Sequence, residues 1–216
     1  MSHGLPAALR LYLVVGGFDD TALLALVDAA LRGGVRCVQL REKSLGTRAF
    51  VARAQRLQPR LRLAGVPLII NDRLDVALAC GADGVHVGQD DMPVDVVRRY
   101  LPRAIVGLSV GSLDELDSGA KLDADYLSPS PLFATRSKAD AGAPLGLGML
   151  RAMRARCAKP LVPIGGIDVG NAAAVFAAGA DGIAVVSAIA GAADPRAASA
   201  SLAEIARASA GARNGG

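Results

Sequence analysis

Tryptophan is absent from this 216-residue chain, and its aromatic residues are limited to three tyrosines and four phenylalanines. A surface that stacks nucleic-acid bases needs aromatic side chains. The net charge of +4 and a pI near 9.2 therefore do not mark a nucleic-acid binder, and the 24 basic residues are dispersed rather than clustered. Small phosphorylated ligands account for the excess more economically. Cysteine is also scarce. Cys37, Cys80 and Cys157 are odd in number and lack metal-ligand spacing, which argues for reduced core thiols and against a disulfide or zinc framework. Long apolar runs are missing as well: 52% of residues are hydrophobic, yet no stretch reaches the roughly 18 needed to cross a bilayer. The first six residues carry neither a basic region nor an apolar core of the secretory type. The expectation is a soluble, cytoplasmic protein without membrane or nucleic-acid partners.

What the chain does contain is a regular alternation. Strand-like runs at 9–15, 35–40, 68–70, 84–87, 105–108, 126–127, 161–164 and 183–186 are each followed by a helix-like segment, at 21–31, 47–63, 74–79, 94–101, 113–120, 147–157, 171–178 and 195–208. The strand runs are apolar on both faces, as parallel strands buried between an interior and a helical layer must be. Eight such pairs without a linker predict one α/β domain over 9–210, a single (β/α)8 TIM barrel, with 1–8 and 211–216 as tails. A weak repeat supports the count. Gly81-Ala82-Asp83-Gly84 and Gly179-Ala180-Asp181-Gly182 both sit between a helix and a strand, where a left-handed glycine ends the helix. Asp83 and Asp181 thus fall on the rim opposite the strand ends, in structural roles.

In a parallel barrel every strand delivers its C-terminal end to one mouth. Polar clusters directly after the strand runs are therefore candidates for one site. Arg41 and Lys43 share an edge with Gln39 and point inward, a cation pair that either needs an anion or forms a salt-bridged strand end. Asp72 and Asp91, beside Asn71 and Gln89, can hold a hard divalent cation such as magnesium that keeps several waters. Both also precede helices and could serve as caps. The Gly/Pro-rich connection after 127 carries Thr135, Ser137 and Lys138 and reads as a lid or binding loop. Gly165 and Gly166, then Val186 and Ser187, stand where many barrels bind phosphate through backbone N–H groups, although turn geometry explains the glycines too. Asp168 is at least as well explained as a helix cap as by direct ligation. His86 reads as a packed, hydrogen-bonded histidine and receives no catalytic role.

Taken together, residues 39–43, 71–73, 81–91, 107–109, 125–126, 131–138, 164–167 and 179–187 resemble the thiamine phosphate synthase family in order along nearly the whole domain. The resemblance implies a (β/α)8 transferase that joins hydroxymethylpyrimidine diphosphate to a thiazole phosphate with release of diphosphate. It implies magnesium on Asp72 and Asp91, pyrimidine diphosphate contacts from Gln39, Arg41, Lys43, Asn71, Ser109 and Lys138, and thiazole phosphate contacts from Thr135, Ser137, Gly166, Val186 and Ser187. Lys138, Arg41 and Ser109 carry the catalytic expectation, because an ionisation-type substitution depends on neutralising the leaving group more than on a general base. The chain departs from the family pattern at Ser128, Ser130 and Ala134, commonly glycine, glycine and proline. Gly111 replaces a frequent histidine, which disfavours the related thiazole tautomerase. A non-catalytic paralogue that binds thiamine intermediates is the other alternative, and a homo-oligomer is left open.

Overall fold

In the computed structural model of the chain, residues 5–135 and 142–214 are described. The apolar runs form seven strands, β1 (Leu11–Val15), β2 (Cys37–Leu40), β3 (Leu68–Asn71), β4 (Gly84–Val87), β5 (Ile105–Val110), β6 (Tyr126–Pro129) and β7 (Ile183–Val185). They pair in parallel in the order β6-β5-β4-β3-β2-β1-β7. Helices α2 (Asp20–Gly33), α3 (Thr47–Ala64), α4 (Leu74–Cys80), α5 (Val94–Tyr100), α6 (Leu113–Gly119), α7 (Gly146–Arg156), α8 (Ala172–Ala177) and α10 (Pro195–Asn214) follow the strand runs as expected. Two short helices were not legible in the sequence: α1 (Leu5–Ala8) and α9 (Ser187–Ala190). The last helix also runs into the segment read as a tail, ending at Asn214. None of the described helices is long and apolar enough to cross a membrane.

Because side chains alternate along a strand, the two faces of the sheet bury different sets. Leu11, Leu13, Val15, Val38, Leu40, Leu68 and Ile70 pack in the large core shared with the helices. Tyr12, Val14, Cys37, Ile69, Tyr126, Val162 and Ala184 form a second, smaller cluster on the other face. Full burial of a Leu, Ile or Val contributes roughly 1.5–3 kcal/mol, so the outer layer dominates stability. The inner layer is left to accommodate polar groups.

The expected closed ring of eight strands is corrected to a sheet of seven. Residues 161–164 make only isolated bridges, Leu127 with Leu161 and Ile164 with Ala184. Pro160 and Pro163 flank and interrupt this run, and proline has no N–H to give a ladder. What remains is a sparse set of bonds, Val162 N–H to the Leu127 carbonyl at 2.9 Å and Ile164 N–H to the Pro129 carbonyl at 3.1 Å. On the other side the Ala184 N–H donates to the Pro163 carbonyl at 2.9 Å.

The repeated aspartates lie at the strand starts. Asp83, Asp125 and Asp181 accept the N–H groups of Leu68, Val106 and Leu161 at 2.8, 2.7 and 2.9 Å. Asp125 and Asp181 are further paired with Arg98 at 2.6 Å and Arg154 at 2.7 Å. Gly81 ends α4 at φ 65°, the left-handed conformation that glycine adopts without penalty. These carboxylates tie β4 to β3, β6 to β5 and β7 to the 161–164 run at the rim away from the site.

Candidate active site

The strand C-termini open onto a cavity of about 760 Å³. Gln39, Arg41, Lys43, Asn71, Asp72, Asp91, Ser109, Thr135, Gly166, Val186 and Ser187 all line it, although they come from seven different strand ends or loops. Ser137 and Lys138 lie outside the described residues. Among the residues that sequence reasoning did not assign, Tyr12, His86 and Glu115 also reach the cavity.

The residues after β2 continue its alternation. Gln39 faces the interior, and Arg41 and Lys43 follow on the cavity side. Glu42 turns outward, where its side chain is only 2% exposed and accepts from Arg53 Nη1 at 2.7 Å. The same carboxylate takes the Gly17 N–H at 3.3 Å, and Arg53 is held in turn by Asp20 at 2.7 Å. A carboxylate this buried needs such partners. Glu42 consequently fastens the loop after β1 to the segment that carries Arg41 and Lys43.

Asp72 is the single described non-glycine residue in the left-handed region, at φ 60°. That backbone costs free energy and persists where its surroundings enforce it. Here the Asp72 N–H donates to the His86 carbonyl at 2.8 Å and the next N–H, of Arg73, folds back to the Asn71 carbonyl at 2.7 Å. The turn aims the Asp72 carboxylate at Lys43, with Nζ 2.5 Å from Oδ2. Asp91 accepts the Gly88 N–H at 2.7 Å. Partial burial and the neighbouring Asp72 carboxyl push the Asp91 carboxyl above the ordinary aspartate range, against the opposing pull of the Gly88 N–H and Lys43.

Neither aspartate caps a helix. The N-cap position of α4 is Arg73 and that of α5 is Pro93, and neither cap residue makes a side-chain bond to its helix. Two adjacent carboxylates, one of them disfavoured as an anion by the other, form an arrangement that a divalent cation relieves. Among the described residues no third His, Cys, Asp or Glu joins them as a potential metal ligand. The protein would therefore supply two ligands and leave the rest to water and phosphate oxygens, the pattern that suits magnesium.

Gly166 has φ 63°, and a Cβ there would meet the Ala134 carbonyl oxygen at 2.6 Å and Phe133 Cβ at 2.8 Å. The space a side chain would take is thus filled by the loop after β6, so this glycine is required by packing independently of any ligand. Asp168 forms a local turn, its Oδ1 accepting the Gly170 N–H at 2.8 Å. Ser128 donates to the Val162 carbonyl at 2.8 Å, joining β6 to the proline-interrupted run. At Gly111, where a tautomerase-like base would stand, the backbone N–H is tied to Glu115 Oε2 at 2.7 Å.

The interior floor holds the feature that sequence reasoning missed. Tyr12, 1% exposed, and Tyr126, fully buried, meet edge to face with ring centroids 6.0 Å apart. Burial pushes both hydroxyls well above the usual tyrosine range, so they stay neutral O–H groups. Tyr126 also stacks with His86 at 5.5 Å. Gly107 lies between these two rings in the register, and a Cβ on it would come within 2.3 Å of the Tyr126 hydroxyl and 2.4 Å of His86 Nδ1. The signal available was a rare tyrosine at an inward strand position, because a buried tyrosine hydroxyl requires a partner.

Cations, hydroxyls and a carboxylate pair gathered over the strand ends of a parallel sheet define an α/β enzyme that works on small molecules at that mouth. The model of the family described as thiamine monophosphate synthase matches residues 11–189, and the chain belongs to this family. It is 55% identical over 191 residues to the thiamine-phosphate synthase of Albidiferax ferrireducens, covering 87% of each chain. It is 52% identical to that of Chloroflexus aurantiacus, with 89% of this chain and 90% of the relative covered. Among solved structures, thiamine phosphate pyrophosphorylase from Pyrococcus furiosus superposes with a TM-score of 0.87 at 37% identity, over 95% of this chain and 98% of that one.

Proposed function

We propose that this enzyme is a transferase that condenses hydroxymethylpyrimidine diphosphate with hydroxyethylthiazole phosphate to give thiamine phosphate and diphosphate. The observation that carries this reading is the convergence of Arg41, Lys43, Asp72 and Asp91 on one cavity lining, with neither aspartate used as a cap. The C–O bond to the diphosphate breaks first, and the thiazole nitrogen captures the pyrimidine-stabilised cation. Arg41, Lys43 and Lys138 bind and neutralise the departing diphosphate, which is the largest demand such a step makes. Asp72 and Asp91 would hold magnesium, which when bound supplies positive charge against the diphosphate oxygens. Gln39, Asn71 and Ser109 orient the pyrimidine. Thr135, Ser137, Gly166, Val186 and Ser187 receive the thiazole phosphate. Glu42 keeps the Arg41 and Lys43 segment in place.

Two further points belong to this reading. The 161–164 run lies between β6 and β7, with isolated bridges to Leu127 and Ala184. The thiazole tautomerase alternative finds no histidine at Gly111. Purified protein incubated with each substrate alone and with both together tests the proposal. Thiamine phosphate is expected only from the pair, and its absence there would refute the assigned activity.

A further inference from the structure

Four hydrogen bonds cross the cavity floor in series. Gln39 Nε2 donates to the Tyr12 hydroxyl at 2.8 Å, and Tyr12 meets Tyr126, hydroxyl to hydroxyl, at 3.0 Å. Tyr126 lies 2.9 Å from His86 Nδ1, and His86 Nε2 lies 2.9 Å from Ser109 Oγ. The series begins and ends on side chains that line the cavity, while its middle members are buried. Each tyrosine hydroxyl has one hydrogen, and a neutral imidazole has one donor and one acceptor nitrogen. With Gln39 donating to Tyr12, the order that satisfies every member in series has Tyr12 donate to Tyr126, Tyr126 to Nδ1, and Nε2–H to Ser109, the Cys37 thiol beside Tyr12 being a weaker competing partner. Gln39 then turns its Oε1 acceptor to the cavity, and Ser109 has its own hydrogen free to donate there. Reversing one link reverses both ends together. Gly107, whose missing Cβ allows the Tyr126 and His86 contact, shows that the chain is built into the sheet.

We propose that Tyr12, Tyr126 and His86 are positioning residues whose hydrogen-bond chain couples Gln39 to Ser109, so that in the sense set by the Gln39 amide donating to Tyr12, Gln39 offers the cavity an acceptor and Ser109 a donor. The site thereby selects a heterocycle that offers an amino group at one edge and an unprotonated ring nitrogen at another. This deepens the reading above, on which it rests, by naming the device that recognises an aminopyrimidine. A carbonyl in place of the amino group would face the Gln39 oxygen with no hydrogen between them. Sites built around a directed hydrogen bond reject the mismatched partner strongly.

Calorimetric titration with the aminopyrimidine diphosphate and with its 4-oxo analogue tests the proposal on wild type, Tyr12→Phe, Tyr126→Phe and the double variant. Wild type is expected to bind the amino compound at least about 100-fold more tightly, as expected when a directed polar contact is lost. Each single variant frees the Gln39 amide to rotate, so discrimination should fall to within about 10-fold, chiefly through improved binding of the oxo compound. The double variant should lose no more than either single one, because one broken link already uncouples the ends. If either single variant fails to fold, the other breaks the same chain and carries the test. Equal weakening of both compounds, or additive losses, would overturn the chain. Wild type binding the amino compound selectively without forming product would refute the activity and leave the chain standing, whereas wild type binding both compounds equally would refute the chain alone.

Discussion

Replacing Asp91 with Asn separates a metal-holding role from a structural one. Asn keeps an oxygen that can accept the Gly88 N–H, now at 2.7 Å, and Asp91 caps no helix, so the fold loses nothing obvious. The electrostatics favour the variant. A carboxyl whose folded pKa is raised binds its proton more tightly in the folded state than in the unfolded one. Stability therefore falls as pH rises from the unfolded value near 3.9 through the folded one, and at neutral pH the ionised Asp91 is a net cost. The metal-free Asp91→Asn protein should melt no lower than wild type at pH 7.5, with any advantage vanishing on acidification below that range. Binding of magnesium should change in the opposite sense. A unit charge about 4 Å from a divalent ion is worth roughly 2 kcal/mol even at the dielectric constant of water. At 1.4 kcal/mol per decade, the apparent magnesium affinity in activity titrations should fall at least about 25-fold, with part of the rate restored by excess magnesium. Asp72→Asn should weaken magnesium similarly. Unchanged magnesium affinity in both folded variants would refute the reasoning and leave the cation to the substrate alone.

Lys138→Ala, at a position outside the described residues, should lower kcat about 100-fold or more without shifting Tm, since it removes one charge from leaving-group stabilisation; near-normal kcat rejects that role. Glu42→Ala leaves the Gly17 N–H and one face of Arg53 without their acceptor. A loss of about 1–3 kcal/mol, read as a Tm drop of several degrees, should accompany a raised KM for the pyrimidine diphosphate. Ser187→Ala should raise KM for the thiazole phosphate roughly tenfold, as loss of a hydrogen bond to a charged group does, and leave KM for the pyrimidine diphosphate unchanged. It is a cleaner probe than a substitution at Gly166, where a side chain would strike Phe133 and Ala134 first.

The order of elements was legible because each buried strand is a short apolar run and each strand end carries its polar cluster. Alternation along β2 was enough to place Gln39, Arg41 and Lys43 on one side and Glu42 on the other. It did not reveal what Glu42 is for, because Arg53, Asp20 and Gly17 come from other parts of the chain. The run at 161–164 was apolar and the right length, but Pro163 removes a donor that a strand between two neighbours must supply, so it bridges without pairing fully. Helix α9 is one turn long and has no periodicity to detect. Capping of α4 and α5 by Asp72 and Asp91 was a reasonable local alternative, and only the backbone turn at Asp72 shows the carboxylate directed to Lys43 instead. The floor chain was beyond reach because it joins five residues from five strands, paired through a register that no local pattern encodes.

On the proposed function, one mouth both neutralises a departing diphosphate and holds the thiazole phosphate that captures the pyrimidine. The most direct measurement is the amount of thiamine phosphate formed per diphosphate released by the wild-type protein, with magnesium and with excess chelator. One thiamine phosphate per diphosphate in magnesium, and neither product in chelator, is the expected result. Diphosphate release without thiamine phosphate, or equal product formation in chelator, would contradict it.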